Sequence, residues 1–160
     1  MTGRAVTLAS ALEEGAASLI AFAQSLDDTE WQTPVPKDGR KIGVVVHHVA
    51  FMYPLEIQLA QKLAAGGVMD DVTWDAVHVI NAQHARDNDA VTKAEAIELL
   101  RRNSTAAAAA IRAIGDADLD RMAPNSLYGN ARLSCQFMLE DHAVRHSVHH
   151  LAKIRATLKR

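Results

Sequence analysis

Apolar residues recur at intervals of three and four through most of this chain, and period-two alternation of β-branched residues is nearly absent. Leu8, Leu12, Ala16, Leu19, Ile20 and Ala23 follow one stripe, and Val45, Val49, Met52, Leu55, Leu59 and Leu63 follow another. Such spacing puts side chains on one face of a 3.6-residue helix. Ala, Leu, Glu and Arg dominate elsewhere and also favour helix. A chain patterned this way buries its stripes by packing helix on helix.

Local signals divide it into helices over residues 7–25, 41–65, 74–87, 92–114 and 133–159. Gly66-Gly67 stops the second helix. Thr73 can cap the third, and Thr92-Lys93-Ala94-Glu95 has capping-box spacing for the fourth. Pro54 lies inside the second helix, where it removes one backbone donor and predicts a kink. Residues 30–40, with Pro34, Pro36 and Gly39, read as a connection. Residues 115–132, with Pro124, Asn125, Gly129 and Asn130, read as a loop. The alanine run at 106–110 predicts close helix–helix contact. The expectation is one all-α domain over residues 1–160, a four-helix bundle with a long crossover and one extra short helix.

Composition narrows the function. Seventeen basic side chains against nineteen acidic ones, a net charge of −2, do not make a nucleic-acid footprint. The sequence has no uninterrupted apolar run of the roughly 18 residues that would suggest a membrane span, and its first residues do not read as a signal peptide. The one cysteine, Cys135, excludes an intramolecular disulfide and suits a reducing compartment. The expected setting is the cytoplasm, with a small molecule as partner rather than nucleic acid or membrane.

Histidine is the chemical outlier. There are eight, four of them between His142 and His150, and two adjacent at His47 and His48. On a uniform wheel of the last helix the apolar arc spans roughly 60–180° from His142, with His146 near about 40° and His150 near about 80°. These two form an i, i+4 pair on the inner face. On the second helix His48 falls inside the apolar sector and His47 outside it. Three inward imidazoles from two helices can share one metal ion and leave coordination positions for water or substrate. Glu56 falls on the same side of its helix, as a carboxylate supporting the ligands or as a base, or simply as a solvated residue. His142, one turn before His146, is placed at the surface or as a supporting or alternative ligand. His78, His84 and the outward His149 read as surface.

Two stretches resemble the DinB-like family. Trp31 followed by Lys41-Ile-Gly-Val-Val-Val-His-His-Val-Ala50 is similar to its second-helix signature, with His48-Val49-Ala50 as the histidine, aliphatic and small residues. Arg145-His-Ser-Val-His-His-Leu-Ala-Lys-Ile-Arg155 is similar to its closing motif, whose first and last histidines fall on His146 and His150. Lys153 stands where many members carry glutamine. The resemblance implies an up-down-down-up bundle, a divalent ion held by His48, His146 and His150, and often a homodimer. Zinc or nickel is expected first, manganese or iron second. It also implies a reaction class, thiol S-transfer with mycothiol or bacillithiol or maleylpyruvate isomerisation; the three-histidine site read from the residues would serve hydrolysis as well, which needs only water and a base such as Glu56. The alternative is a non-catalytic metal-binding or stress-response protein. Cys135 has no motif around it and is not read as a nucleophile.

Overall fold

The computed structural model describes residues 3–160. Four long helices build the bundle: α1 (Arg4–Gln24), α3 (Ile42–Ala64), α5 (Lys93–Arg112) and α8 (Arg145–Leu158). The shorter elements are α2 (Asp28–Gln32), α4 (Trp74–Asp87), α6 (Asp116–Leu119), β1 (Met122–Asn125), β2 (Ala131–Ser134) and α7 (Cys135–Met138). A π-helical segment, Leu139–Val144, joins α7 to α8.

Contacts between helix ends give the directions. Lys41, just before α3, pairs with Asp89, just before α5, at 2.7 Å, and Asn103 midway along α5 reaches Ala50 on α3. These two helices therefore run parallel. Arg112, at the end of α5, pairs with Glu13 on α1 at 2.5 Å, and Lys93, at its start, reaches the Leu26 carbonyl beyond the end of α1. So α1 opposes α5. The guanidinium groups of Arg155 and Arg160 lie over the Phe22 ring at 5.3 and 5.6 Å, placing the ends of α1 and α8 together. The order is up-down-down-up, and the parallel pair α3–α5 requires the long crossover that holds α4.

The caps follow the sequence signals. Thr92 Oγ1 accepts from Glu95 N at 3.2 Å while Glu95 Oε2 accepts from Thr92 N at 2.9 Å. Thr73 caps α4 through Ala76 N. At the end of α3, Gly66 takes a positive φ of 87°, which glycine adopts without a Cβ clash. Pro54 does sit inside α3. The carbonyl it deprives of a donor, on Ala50, accepts instead from Asn103 Nδ2 at 2.8 Å. The alanine run splits: Ala107 and Ala108 are buried, whereas Ala106 and Ala109 are exposed.

Leu12 and Leu19, Val45, Val49 and Tyr53, Leu100 and Ile111, and Ile154 form the centre of the core. Tyr53 is fully buried, and its hydroxyl meets Ser147 Oγ at 2.5 Å, satisfying the one polar atom it carries inward. By length and composition α1 and α3 could each cross a membrane. Here their apolar residues supply this core.

Three sequence expectations change. Residues 115–132 are not a plain loop: they contain α6 and the first strand of an antiparallel hairpin pairing Met122 with Ser134 and Asn125 with Ala131. Strands of four residues are too short to show alternation. The connection 30–40 begins inside a capped helical turn, α2, in which Asp27 and Glu30 form a capping box. The last helix begins at Cys135, after a strand, and is interrupted by the π-helical segment. The hairpin matters for the site. Ser126 bonds Met69 O and Val72 O, and Trp74 Nε1 donates to Leu127 O at 2.8 Å, so the hairpin tip is tied to the crossover and to the start of α4.

Candidate metal centre

His48 projects from the first half of α3, and His146 and His150 project from consecutive turns of α8. One ring nitrogen from each lies within 4.8 Å of the others, the one such His/Cys/Asp/Glu group among the described residues. Ring centroids are separated by 5.1 Å (His48–His146), 5.4 Å (His48–His150) and 5.0 Å (His146–His150). His48 and His150 are buried and His146 nearly so. Burial pushes the pKa of His48 and of His150 far below the ordinary imidazole value, with help from the neighbouring His146 and Arg40. Both rings are therefore neutral at physiological pH, the form that donates a lone pair to a metal.

Buried Nδ1 atoms on all three rings lack a hydrogen-bond partner. Orphaned buried nitrogens are rare in folded proteins and call for an account. A divalent ion fits the convergence: three imidazoles meeting at one point suit zinc, nickel, manganese or iron. Glu56, eight residues after His48 on α3, places Oε1 2.7 Å from His146 Nδ1, off the line of an N–H···O bond, and its Oε2 is buried without a partner. A carboxylate behind a ligand histidine orients the ring and raises its basicity.

The triad opens onto a cleft of about 240 Å³ that Glu56 also lines. Trp74 from α4 and Arg145 and His149 from α8 stand exposed at its rim. The Asn81 amide lines it too, with a buried, unpartnered Oδ1.

The other histidines divide differently from the wheel reading. His78 and His149 are exposed, as expected. His84 is not a surface residue: it is 3% exposed, its Nε2 lies 2.8 Å from His47 Nδ1, and its ring stands edge-on to His48 at 5.6 Å. Burial, then His47 and Arg40, push its pKa down to about 4. It braces the outer side of the His48 ring. His142 is half-buried and lines the cleft. Its Nε2 lies 3.0 Å from the Tyr128 hydroxyl, which also bonds Asp141. Each residue of a π-helical segment bonds five positions along instead of four. This adds in effect one residue to a turn and rotates everything upstream relative to a uniform wheel. That rotation brings His142 round to the cleft. Tyr128 comes from the hairpin tip and had no signal in the helical periodicity. Cys135 is buried under α3 with Sγ 3.3 Å from Ala60 O, and burial pushes its thiol up to about 11. It takes no part in the site.

The family model of the DinB superfamily matches residues 11–154. The chain belongs to the DinB superfamily. Among solved structures, this DinB-superfamily protein is similar to YfiT from Bacillus subtilis, described as a probable metal-dependent hydrolase with an unusual four-helix bundle topology. The two share 18% identity over 99% of this chain and 88% of YfiT, with a TM-score of 0.75. At that identity the likeness establishes the shared fold. No curated protein matches this chain.

Proposed function

We propose that this DinB-superfamily protein is a divalent-metal-dependent hydrolase acting on a small molecule, with zinc or nickel held by His48, His146 and His150. The observation that carries this reading is the convergence of three buried imidazoles, two of them held neutral by burial, at the floor of a cleft that also presents a carboxylate. Three protein ligands leave room for a substrate or water, as catalytic sites require. When bound, the ion supplies Lewis-acid polarisation and a positive charge that favours a deprotonated nucleophile. Glu56 stands behind the His146 ring with its second oxygen unpartnered, while Arg145, His149 and Trp74 at the rim meet the substrate. YfiT's description as a probable metal-dependent hydrolase supports the same class.

Thiol S-transfer would use the same centre with a different nucleophile. The cleft, about 240 Å³, is smaller than the roughly 300–1,000 Å³ usual for drug-sized ligands, which favours water over a sugar-bearing thiol. A rim open to solvent argues against a purely structural ion. The reading includes a cytoplasmic location, in keeping with the unpaired Cys135, and a homodimer, which rests on the family resemblance.

The test begins with metal analysis of protein purified without a histidine tag. Stoichiometric zinc or nickel is expected in the wild type and none in His48→Ala. The loaded protein is then assayed on a panel of small esters and amides, and in parallel for transfer of bacillithiol, mycothiol or glutathione to a generic electrophile. Metal-dependent hydrolysis supports the proposal. Turnover only with a thiol would replace it with the transferase reading, and absence of stoichiometric metal would overturn both. Sedimentation velocity checks the dimer.

A further inference from the structure

The cleft contains a second polar assembly besides the triad and Glu56. Tyr128, from the hairpin tip, hydrogen-bonds the Asp141 carboxylate and sits 3.0 Å from His142 Nε2. Asp141 is also paired through its other oxygen with Arg145 Nη1 at 3.1 Å. Asp141 and His142 both belong to the π-helical segment, so the local irregularity of the last helix is what brings the chain together at the cleft wall. Single π turns inside helices are frequent at functional sites.

The proton count fixes the tautomer. A phenol has one proton, and an ionised carboxylate can only accept. Burial, reinforced by Asp141, raises the Tyr128 pKa well above its ordinary value, so the phenol keeps its proton and donates it to Asp141. The Tyr128 oxygen can then meet His142 Nε2 only as an acceptor. Nε2 therefore carries the hydrogen, and Nδ1 carries the lone pair. His142 lines the cleft, and with Nε2 engaged by Tyr128, Nδ1 is the nitrogen left for a ligand. The charged and titratable groups around it are Asp141, Arg145, Tyr128, Glu56 and His146.

We infer that His142 is the proton acceptor of this cleft, held as the Nε2–H tautomer by the Asp141–Tyr128 chain, with Glu56 left to its role behind His146. The inference rests on the hydrolase reading for its reaction and on the hydrogen-bond chain for its geometry. In hydrolysis of an acyl substrate, the O–H bond of the attacking water breaks and its proton forms an N–H bond at His142 Nδ1. The released electron pair forms the new bond to the carbonyl carbon. The resulting imidazolium is stabilised through Tyr128 by the Asp141 charge, and it returns the proton to the leaving group as that bond breaks. An imidazole oriented by a carboxylate through its far nitrogen is an established way to build such a base.

Two measurements test this without depending on turnover. Long-range ¹H–¹⁵N spectra of the imidazoles, on metal-free and zinc-loaded protein, read the His142 tautomer directly. Nε2–H is expected in the wild type, and a shift towards a tautomer mixture in Tyr128→Phe. Calorimetry of acetohydroxamic acid binding to the zinc-loaded protein, in buffers of different ionisation enthalpy, counts the protons released. The wild type should keep the hydroxamate proton, and His142→Gln should release about one to the buffer while zinc affinity stays within about threefold. An Nδ1–H tautomer, or a proton count that His142→Gln leaves unchanged, overturns the inference and returns the base to Glu56. Failure of the hydrolase reading looks different: zinc does not bind, or the hydroxamate shows no zinc-dependent binding, while the tautomer remains Nε2–H.

Discussion

Asn103→Ala tests how α3 carries a proline between two of its site residues, His48 and Glu56. Pro54 has no N–H, so the Ala50 carbonyl four residues earlier loses its helical partner. Asn103 Nδ2 donates to that carbonyl at 2.8 Å, and Ala50 is fully buried, so water does not readily replace the side chain. Stripping a buried acceptor of its donor costs about 1–3 kcal/mol. Alanine returns about 0.6 kcal/mol of helix propensity relative to asparagine. The expected net loss is about 1.5 kcal/mol, with an unchanged denaturant slope. In a Pro54→Ala background the backbone supplies its own donor, and the same Asn103→Ala change should cost about 0.5 kcal/mol or less. Urea denaturation of the wild type, both single variants and the double variant gives the coupling, expected near 1 kcal/mol. A coupling within about 0.3–0.5 kcal/mol of zero, the scatter for independent sites, would refute the account.

Three further outcomes follow from the structure. Zinc at about 100 times its dissociation constant should stabilise the fold by about 2.7 kcal/mol. His48→Ala should lose that gain, and an equal zinc-induced rise in melting temperature in the variant would show that the triad does not hold the ion. Gly43→Ala would place a Cβ 2.4 Å from the ring of Trp31 on α2, which also donates to Val91 O just before α5. A loss of about 1–3 kcal/mol in urea is expected from such overpacking, and wild-type stability would contradict it. Burial alone would raise the Asp38 carboxyl, but bonds from the Arg40 side chain at 2.6 and 2.7 Å hold it below the ordinary carboxylate range. A depressed folded-state pKa contributes stability that is present above the unfolded value, near about 3.9, and lost as pH falls through the folded one. Asp38→Asn should flatten that acid limb in pH-dependent melts, and an unchanged limb would assign it to other carboxylates.

The helix wheels selected His48, His146 and His150 because each lies on regular helix, where about 100° per residue is a sound guide to direction. Glu56 was legible for the same reason, two turns beyond His48 on α3. For His142 the sequence left surface and supporting placements open, because the π-helical segment leaves no compositional trace, yet it changes the direction of every residue upstream. His84 was misjudged for another reason. Its helix, α4, has few apolar residues facing the bundle, so no wheel could show that this one ring is pressed between His47, His48 and Phe51. Tyr128 lies in a hairpin whose strands are too short to register as a pattern.

Periodicity, caps and helix stops are local properties, set by which backbone conformations and one-sided burial a short stretch can support. From them the sequence alone determined four long amphipathic helices, their approximate ends, and which three histidines face inward. Pairing across the bundle is not local. The parallel run of α3 beside α5, the docking of the hairpin tip on α4, and the chain from Arg145 through Asp141 and Tyr128 to His142 depend on residues far apart in sequence. Only the tertiary structure decided those, because partners so far apart in sequence are brought together by packing rather than by spacing.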